Sequence, residues 1–236
     1  KILYSPTDLN NFVSCKYHIK NDLLADEKKF KKREISADLK LRIKYGIEHE
    51  TKHFKLFKNK NNPSVAINDK LTDEKRFEAT KQALTKGYKL IYKAYFIEKN
   101  FRGEADFLLR VNTKSDLGNY SYEVYDTKIT KNLRPKHILQ ITGYSYLLGK
   151  LQNLVPRYMY LIDGNNKFNT YRVNEFVDYF TYTRNRFENL LPKLKKSDIY
   201  PEKCSYCQYC PWLDVCEKRW GDDNYINQVA RINKSQ

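Results

Sequence analysis

The sequence predicts an α/β fold, a mixed central sheet flanked by helices, on three observations. Segments with helical periodicity and segments with strand-type alternation take turns along the chain. Hydrophobic residues make up 41% of the 236 positions, and 14% are aromatic, including 20 Tyr, enough for one sizeable core and too many for a disordered chain. The length suits one large domain, or one domain with appendages.

Taken in order, Ser5-Pro6-Thr7-Asp8 reads as a helix start, with Ser5 as N-cap and Pro6 in the first turn, which places Cys15 inside the first helix. Residues 28–34 are a charged connector. A second helix is expected over about 38–58, with Ile43, Ile47, Phe54 and Phe57 on one stripe and Glu50 as its charged member. A short strand at 64–67 precedes a helix at 73–86. Residues 90–97 and 101–111 form a hairpin turning at 98–100, and 120–129 is the third strand of this central part. Pro135 opens an amphipathic helix reaching about 151. Residues 157–162 and 168–173 flank the turn-forming run Asp163-Gly164-Asn165-Asn166. A helix over about 174–194 and the cysteine-rich segment 204–216 follow. Residues 224–236 read as a helix cut in mid-course; with Lys1 in place of a methionine, this predicts a fragment of a longer protein.

The formal net charge of +16 implies a positive surface field suited to a polyanion such as nucleic acid, although a compositional bias toward Lys and Asn would raise the charge too. The sequence holds no apolar run of membrane-spanning length and no signal-peptide pattern. A cytoplasmic protein without a membrane partner is the expectation.

In the third strand, residues two apart share a face, so Asp126 and Lys128 aim a carboxylate and an amine at one point. Asp106, in the preceding strand, is placed to face the same spot, and two acids there can hold Mg²⁺ or Mn²⁺ through oxygens. Glu50 on an apolar stripe needs a metal ion or a basic partner, because an unpaired buried carboxylate is costly. Such a set suits phosphodiester hydrolysis. A strand D-x-K also arises by chance, and a helix Glu commonly just pairs with a Lys.

The ordered series Gly46-Ile47-Glu48-His49-Glu50, Gly103-Glu104-Ala105-Asp106, Asp126-Thr127-Lys128 and Gln140-Ile141-Thr142-Gly143-Tyr144 resembles the motifs of RecB-like PD-(D/E)XK nucleases. The resemblance implies a restriction-endonuclease-like core in which Glu50 or His49, Asp106, Asp126 and Thr127 surround Mg²⁺ or Mn²⁺. It implies that Lys128 serves the attacking water, and that Gln140 and Tyr144, one helical turn apart, position the lysine and contact DNA. His49 and Glu50 are alternatives for the first ligand, and the stripe favours Glu50.

Cys207-x2-Cys210-x5-Cys216, with Cys15 almost a domain earlier, offers soft thiolate ligands for an iron-sulfur cluster or Zn²⁺. Cys204 is a fifth thiol that either stays free or replaces Cys207. The spacing resembles the 4Fe-4S branch of RecB-like nucleases, AddB and CRISPR-associated members included, which implies a 4Fe-4S cluster on Cys15, Cys207, Cys210 and Cys216 joining an N- and C-terminal helical appendage; structural zinc is the rival. The tail through Trp220 also resembles RecB-family nucleases in which an RNase H-like or helicase region follows. The whole predicts a single nuclease domain over 1–236, with a core at about 38–195 and cluster-binding elements at 5–24 and 200–220. Its expected activity is metal-dependent DNA cleavage, on single strands or ends, in repair or antiviral defence. The alternative is a catalytically silent nucleic-acid-binding module of a larger helicase or nuclease assembly, and RNA as substrate stays open.

Overall fold

The computed structural model describes residues 2–25, 27 and 30–226. The chain divides into two compact units, one of residues 1–7 and 40–182, the other of residues 8–39 and 183–236.

The first unit is built on a six-stranded mixed sheet whose spatial order follows the sequence: β1 (Ser64–Ala66), β2 (Leu90–Glu98), β3 (Phe101–Val111), β4 (Ser121–Thr127), β5 (Tyr158–Ile162) and β6 (Phe168–Arg172). The pairs β2/β3, β3/β4 and β5/β6 are antiparallel, as short turns allow. The pairs β1/β2 and β4/β5 are parallel and need crossovers. Helices over Asp73–Thr85 and Pro135–Gln152 supply them. Thr72 caps the first by accepting from Lys75 N at 3.4 Å. The second has Pro at its first turn and ends at Asn153 in the left-handed region, φ 49°.

In chain order the helices are α1 (Pro6–Ser14), α2 (Lys16–Leu24), α3 (Ala37–Lys60), α4 (Asp73–Thr85), α5 (Pro135–Gln152), α6 (Val177–Leu194) and α7 (Leu213–Asp222). The last turns of α3 are seated on the sheet by aromatic contacts. Phe54 stacks on Tyr92 at 4.1 Å, and Phe57 meets Phe107 edge-on at 5.1 Å and Tyr125 at 5.8 Å. The other half of the expected stripe is not buried: Ile43 and Ile47 are 48% and 58% exposed. Periodicity specifies a stripe, and only neighbouring elements decide how much of it is covered.

A buried amide ties α5 to β4. Gln152, fully buried, accepts from Tyr122 N at 2.8 Å and donates to Tyr122 O at 3.2 Å, pairing with the strand as a neighbouring strand would. Glu123 on the same strand is also a structural acceptor, taking Tyr158 N at 3.1 Å and the Tyr160 hydroxyl at 3.0 Å.

In the second unit, Cys15 does not lie inside one long helix. It stands between α1 and α2 in extended backbone, φ −161°, as the N-cap of α2, and no Gly or Pro announces the break. Trp212, 1% exposed, donates its indole N–H to Asp22 at 3.1 Å, and Trp220 donates to Pro201 O at 2.7 Å, so both indoles are anchored at their polar ends. Other boundaries fall within a few residues of expectation; Lys128 lies one residue past the end of β4, and residues 28, 29 and 227–236 of the expected connector and terminal helix lie outside the described residues.

Replacing Gln152 with Leu keeps the volume but strands a buried N–H and C=O of Tyr122. The expected loss is about 3 kcal/mol of stability, read as a lower urea midpoint with an unchanged denaturant slope.

Candidate functional site

The centre of the sheet carries the carboxylates. Phe107 pairs with Tyr125 across β3 and β4, so Asp106 and Asp126 stand one step further along, opposite each other, where the ladder opens. Asp106 occupies that opening: its Oδ2 accepts from Thr127 N at 2.7 Å and from Thr127 Oγ1 at 2.6 Å. The carboxylate replaces a backbone acceptor, which fixes its position and separates the two strands just where the acids face each other.

Asp126 is 2% exposed and forms an ion pair with Lys128. Burial pushes its carboxyl up; the Lys128 charge opposes this and the Asp106 and Glu50 charges add to it, leaving it at about 7. Burial works against the Lys128 ammonium, but the charges of Asp126, Asp106 and Glu50 prevail and raise it above the ordinary lysine value. Glu50, on α3, is raised by burial and by Asp106, with Lys93 opposing. Its Oε1 lies 3.1 Å from Lys93 Nζ without hydrogen-bond geometry.

The helix α5 adds Gln140 and Tyr144, joined by a hydrogen bond from Gln140 Nε2 to the Tyr144 oxygen at 2.8 Å. Tyr144 is held well above the ordinary phenol value by burial and by the charges of Asp126, Asp106 and Glu104. The glycine of Gly103-Glu104-Ala105-Asp106 has a steric reason. A Cβ at Gly103 would lie 2.9 Å from the Tyr144 ring, so only Gly lets this ring lie against β3.

Of the residues the sequence singled out, Glu50, Asp106, Asp126, Thr127, Lys128, Gln140 and Tyr144 are thus linked by hydrogen bonds or by charge. His49 stands apart from these links: its ring is edge-on to His53 at 4.7 Å, its Nε2 is buried without a hydrogen bond, and His53 in turn meets Asn166 Oδ1 at 3.1 Å. Two site residues escaped sequence reasoning. Glu104 could have been found, since it shares a strand face with Asp106 two positions on. Lys93 could not: nothing in Tyr92-Lys93-Ala94 distinguishes it from an ordinary strand lysine.

The cysteines gather in the second unit. Cys216 is buried with Tyr17 and Trp220, and Cys15 and Cys207 pack against this cluster. Burial, and then the neighbouring thiols, push Cys216 up to about 12 and Cys210 to about 11, while Cys15 and Cys207 are raised as well. His18 Nδ1 lies 3.4 Å from Cys210 Sγ. Cys204 is drawn in too, its Sγ 3.8 Å from that of Cys207. Among the described residues no three His, Cys, Asp or Glu side chains stand in a ready-made metal-holding group. None of the described helices is long and apolar enough to cross a membrane.

Comparison with known proteins bears on the fold. The sequence profile of the PD-(D/E)XK nuclease superfamily matches residues 21–217. No curated protein matches the sequence. Among solved structures, the one titled "Crystal structure of SSO0001" is similar at 14% identity and a TM-score of 0.42, over 92% of this chain and 87% of that one. Members of the superfamily are nucleases that typically use Mg²⁺ or Mn²⁺. With most of its length matched and a mixed α/β sheet at its centre, the chain belongs to the PD-(D/E)XK nuclease superfamily.

Proposed function

We propose that this protein is a Mg²⁺- or Mn²⁺-dependent deoxyribonuclease of RecB-like type, acting on single-stranded DNA or DNA ends, with its active site at the opening between β3 and β4. The observation that carries this reading is the convergence of the Asp106, Asp126 and Glu50 charges on one half-buried lysine, Lys128, ion-paired with Asp126 at the point where Asp106 parts the strands. The net charge of +16 supports a polyanionic substrate.

The residues fit a hard divalent cation. Their donors are carboxylate oxygens, one of them a buried Glu50 oxygen without a hydrogen bond. Glu50, Asp106 and Asp126 would hold the ion, and Thr127 would fix Asp106; His49, outside this charge network, is the weaker candidate for a ligand. When bound, the cation supplies Lewis acidity at the phosphate and a more acidic water. Lys128, raised by its acid neighbours, keeps its proton at neutral pH. It therefore donates hydrogen bonds to the attacking water or to a phosphate oxygen, stabilises developing negative charge, and does not act as the base. Tyr144, also protonated, is a second donor, oriented by Gln140.

We further propose that Cys15, Cys207, Cys210 and Cys216 hold a 4Fe-4S cluster, with structural zinc as the rival, and that both units act together as one nuclease domain. What supports the cluster is the chemistry of the donors: Cys210 and Cys216 are buried, Cys15 and Cys207 half-buried, and the neighbouring thiols raise the proton affinity of the buried pair, a strain that a cationic, thiophilic centre would relieve.

Labelled single- and double-stranded DNA should be cut by the wild type with Mn²⁺, and Asp126→Ala or Lys128→Ala should lower the rate by about a hundredfold or more. Cleavage that survives both substitutions would reject the site; salt-sensitive binding without cleavage would favour a silent module, and faster cutting of RNA would change the substrate.

Asp126, raised to about 7, takes up a proton as the pH falls below that value. Mn²⁺ must then displace this proton, so its affinity should weaken by up to about tenfold per unit below pH 7. Calorimetric titrations in buffers of different ionisation enthalpy would detect the proton released.

Anaerobically purified protein should carry the iron and acid-labile sulfide of one 4Fe-4S cluster per chain, and Cys207→Ser or Cys216→Ser should lose both. Zinc in their place would identify the rival centre.

A further inference from the structure

The cation site proposed above contains a lysine that lies outside every motif quoted from the sequence. In β2, Tyr92 pairs with Phe107 and Ala94 with Ala105, so Lys93 stands opposite Asp106 at the middle of the sheet. Its backbone has φ 56°, in the left-handed region that a non-glycine residue rarely adopts and that a strand does not call for. Such strain persists only where the surroundings impose it. Here the twist is accompanied by two ion pairs: the ammonium lies 3.1 Å from Glu50 Oε1 and 3.3 Å from Glu104 Oε1.

The two carboxylates depend on Lys93 unequally. The other oxygen of Glu104 is bound by Arg76, whose guanidinium is itself fixed over the Tyr95 ring at 4.3 Å. Glu104 therefore keeps a cation of its own. Glu50 is buried to 13% side-chain exposure beside Asp106, and Lys93 is its ion-pair partner, with the Tyr92 hydroxyl as an added hydrogen bond. Lys93 can draw back to Glu104 without leaving the site, whereas Glu50 needs another positive charge when it does.

We propose that Lys93 is the resident counter-ion of Glu50, competes with the divalent cation for that carboxylate, and withdraws to Glu104 when the cation binds. Lys93 is then a positioning residue that sets the cation concentration at which the site fills. This rests on the reading that Glu50, Asp106 and Asp126 hold the cation. A lysine serving only to pair with acids in the fold would alter stability and leave cation affinity alone.

The test is Mn²⁺ binding to the full chain without nucleic acid, followed by calorimetry and by the paramagnetic resonance of free Mn²⁺. The variants are Lys93→Asn, Lys93→Gln, Lys93→Arg and Asp126→Ala. Asn tolerates the left-handed backbone and removes the charge, and Gln provides a second neutral variant should Asn fail to fold. Loss of the competing charge should tighten Mn²⁺ binding by about tenfold or more, with Lys93→Arg close to wild type and Asp126→Ala losing the site. Unchanged or weaker binding by the folded neutral variants, with Asp126→Ala still defective, overturns the role of Lys93 and leaves the site assignment standing. Equal tightening in Lys93→Arg also overturns it, since relief of backbone strain and not charge would then be the cause. Wild-type affinity in Asp126→Ala removes the site assignment and the competition together.

Discussion

Carboxylates brought together in a half-buried corner of a sheet repel one another and lose hydration, so each needs a positive partner or a proton. Glu50, Glu104, Asp106 and Asp126 meet here, with Lys93, Lys128 and Arg76 against them, one positive charge short of balance. The shortfall falls on Asp126, the most deeply buried of the four, whose carboxyl is raised to about 7. A proton on Asp126 completes the balance; in the function proposed above, a divalent cation would take its place and leave the corner with a net positive charge suited to one phosphodiester.

That arrangement depends on a backbone event. The ladder between β3 and β4 runs from Val111 paired with Ser121 to Phe107 paired with Tyr125, and then Asp106 takes the Thr127 N–H with its side chain. Two strands that kept pairing would hold the acids face to face at fixed cross-strand spacing, with little room between them. Here the backbone and hydroxyl of Thr127 are bound by the Asp106 carboxylate instead. The distortion at Lys93, on the other side of β3, lies at the same level of the sheet, so the irregularities of β2 and β4 both centre on Asp106.

Much of this was legible in the sequence, for reasons that differ by residue. Strand parity alone put Asp126 and Lys128 on one face, and Pro135 with the spacing of Gln140 and Tyr144 gave both the start of α5 and the side on which those two residues meet. The elements of the sheet were readable because alternation, turn residues and a helix start agreed at each boundary. Where reading failed, the deciding contact was distant in sequence. Ile43 and Ile47 have the periodicity of a buried stripe, yet the aromatic seat of α3 is made by Phe54 and Phe57. Cys15 interrupts a helical pattern with no local signal, in an extended conformation among thiols nearly 200 residues away. Lys93 looks like any strand lysine until Glu50, from another element, is placed beside it.

The glycine at position 103 connects packing to chemistry. Without a Cβ there, the Tyr144 ring can lie against β3, and its hydroxyl comes within electrostatic reach of Asp126, Asp106 and Glu104. Gln140 donates to the Tyr144 oxygen, which leaves the hydroxyl proton for an acceptor. Burial among carboxylates keeps that proton in place. Tyr144 is therefore held as a neutral donor facing an acidic corner, complementary to the protonated Lys128. One small residue on a strand and one amide on a helix together determine the direction of a hydrogen bond, and both are needed: a side chain at 103 would displace the ring, and without Gln140 the hydroxyl would be free to turn.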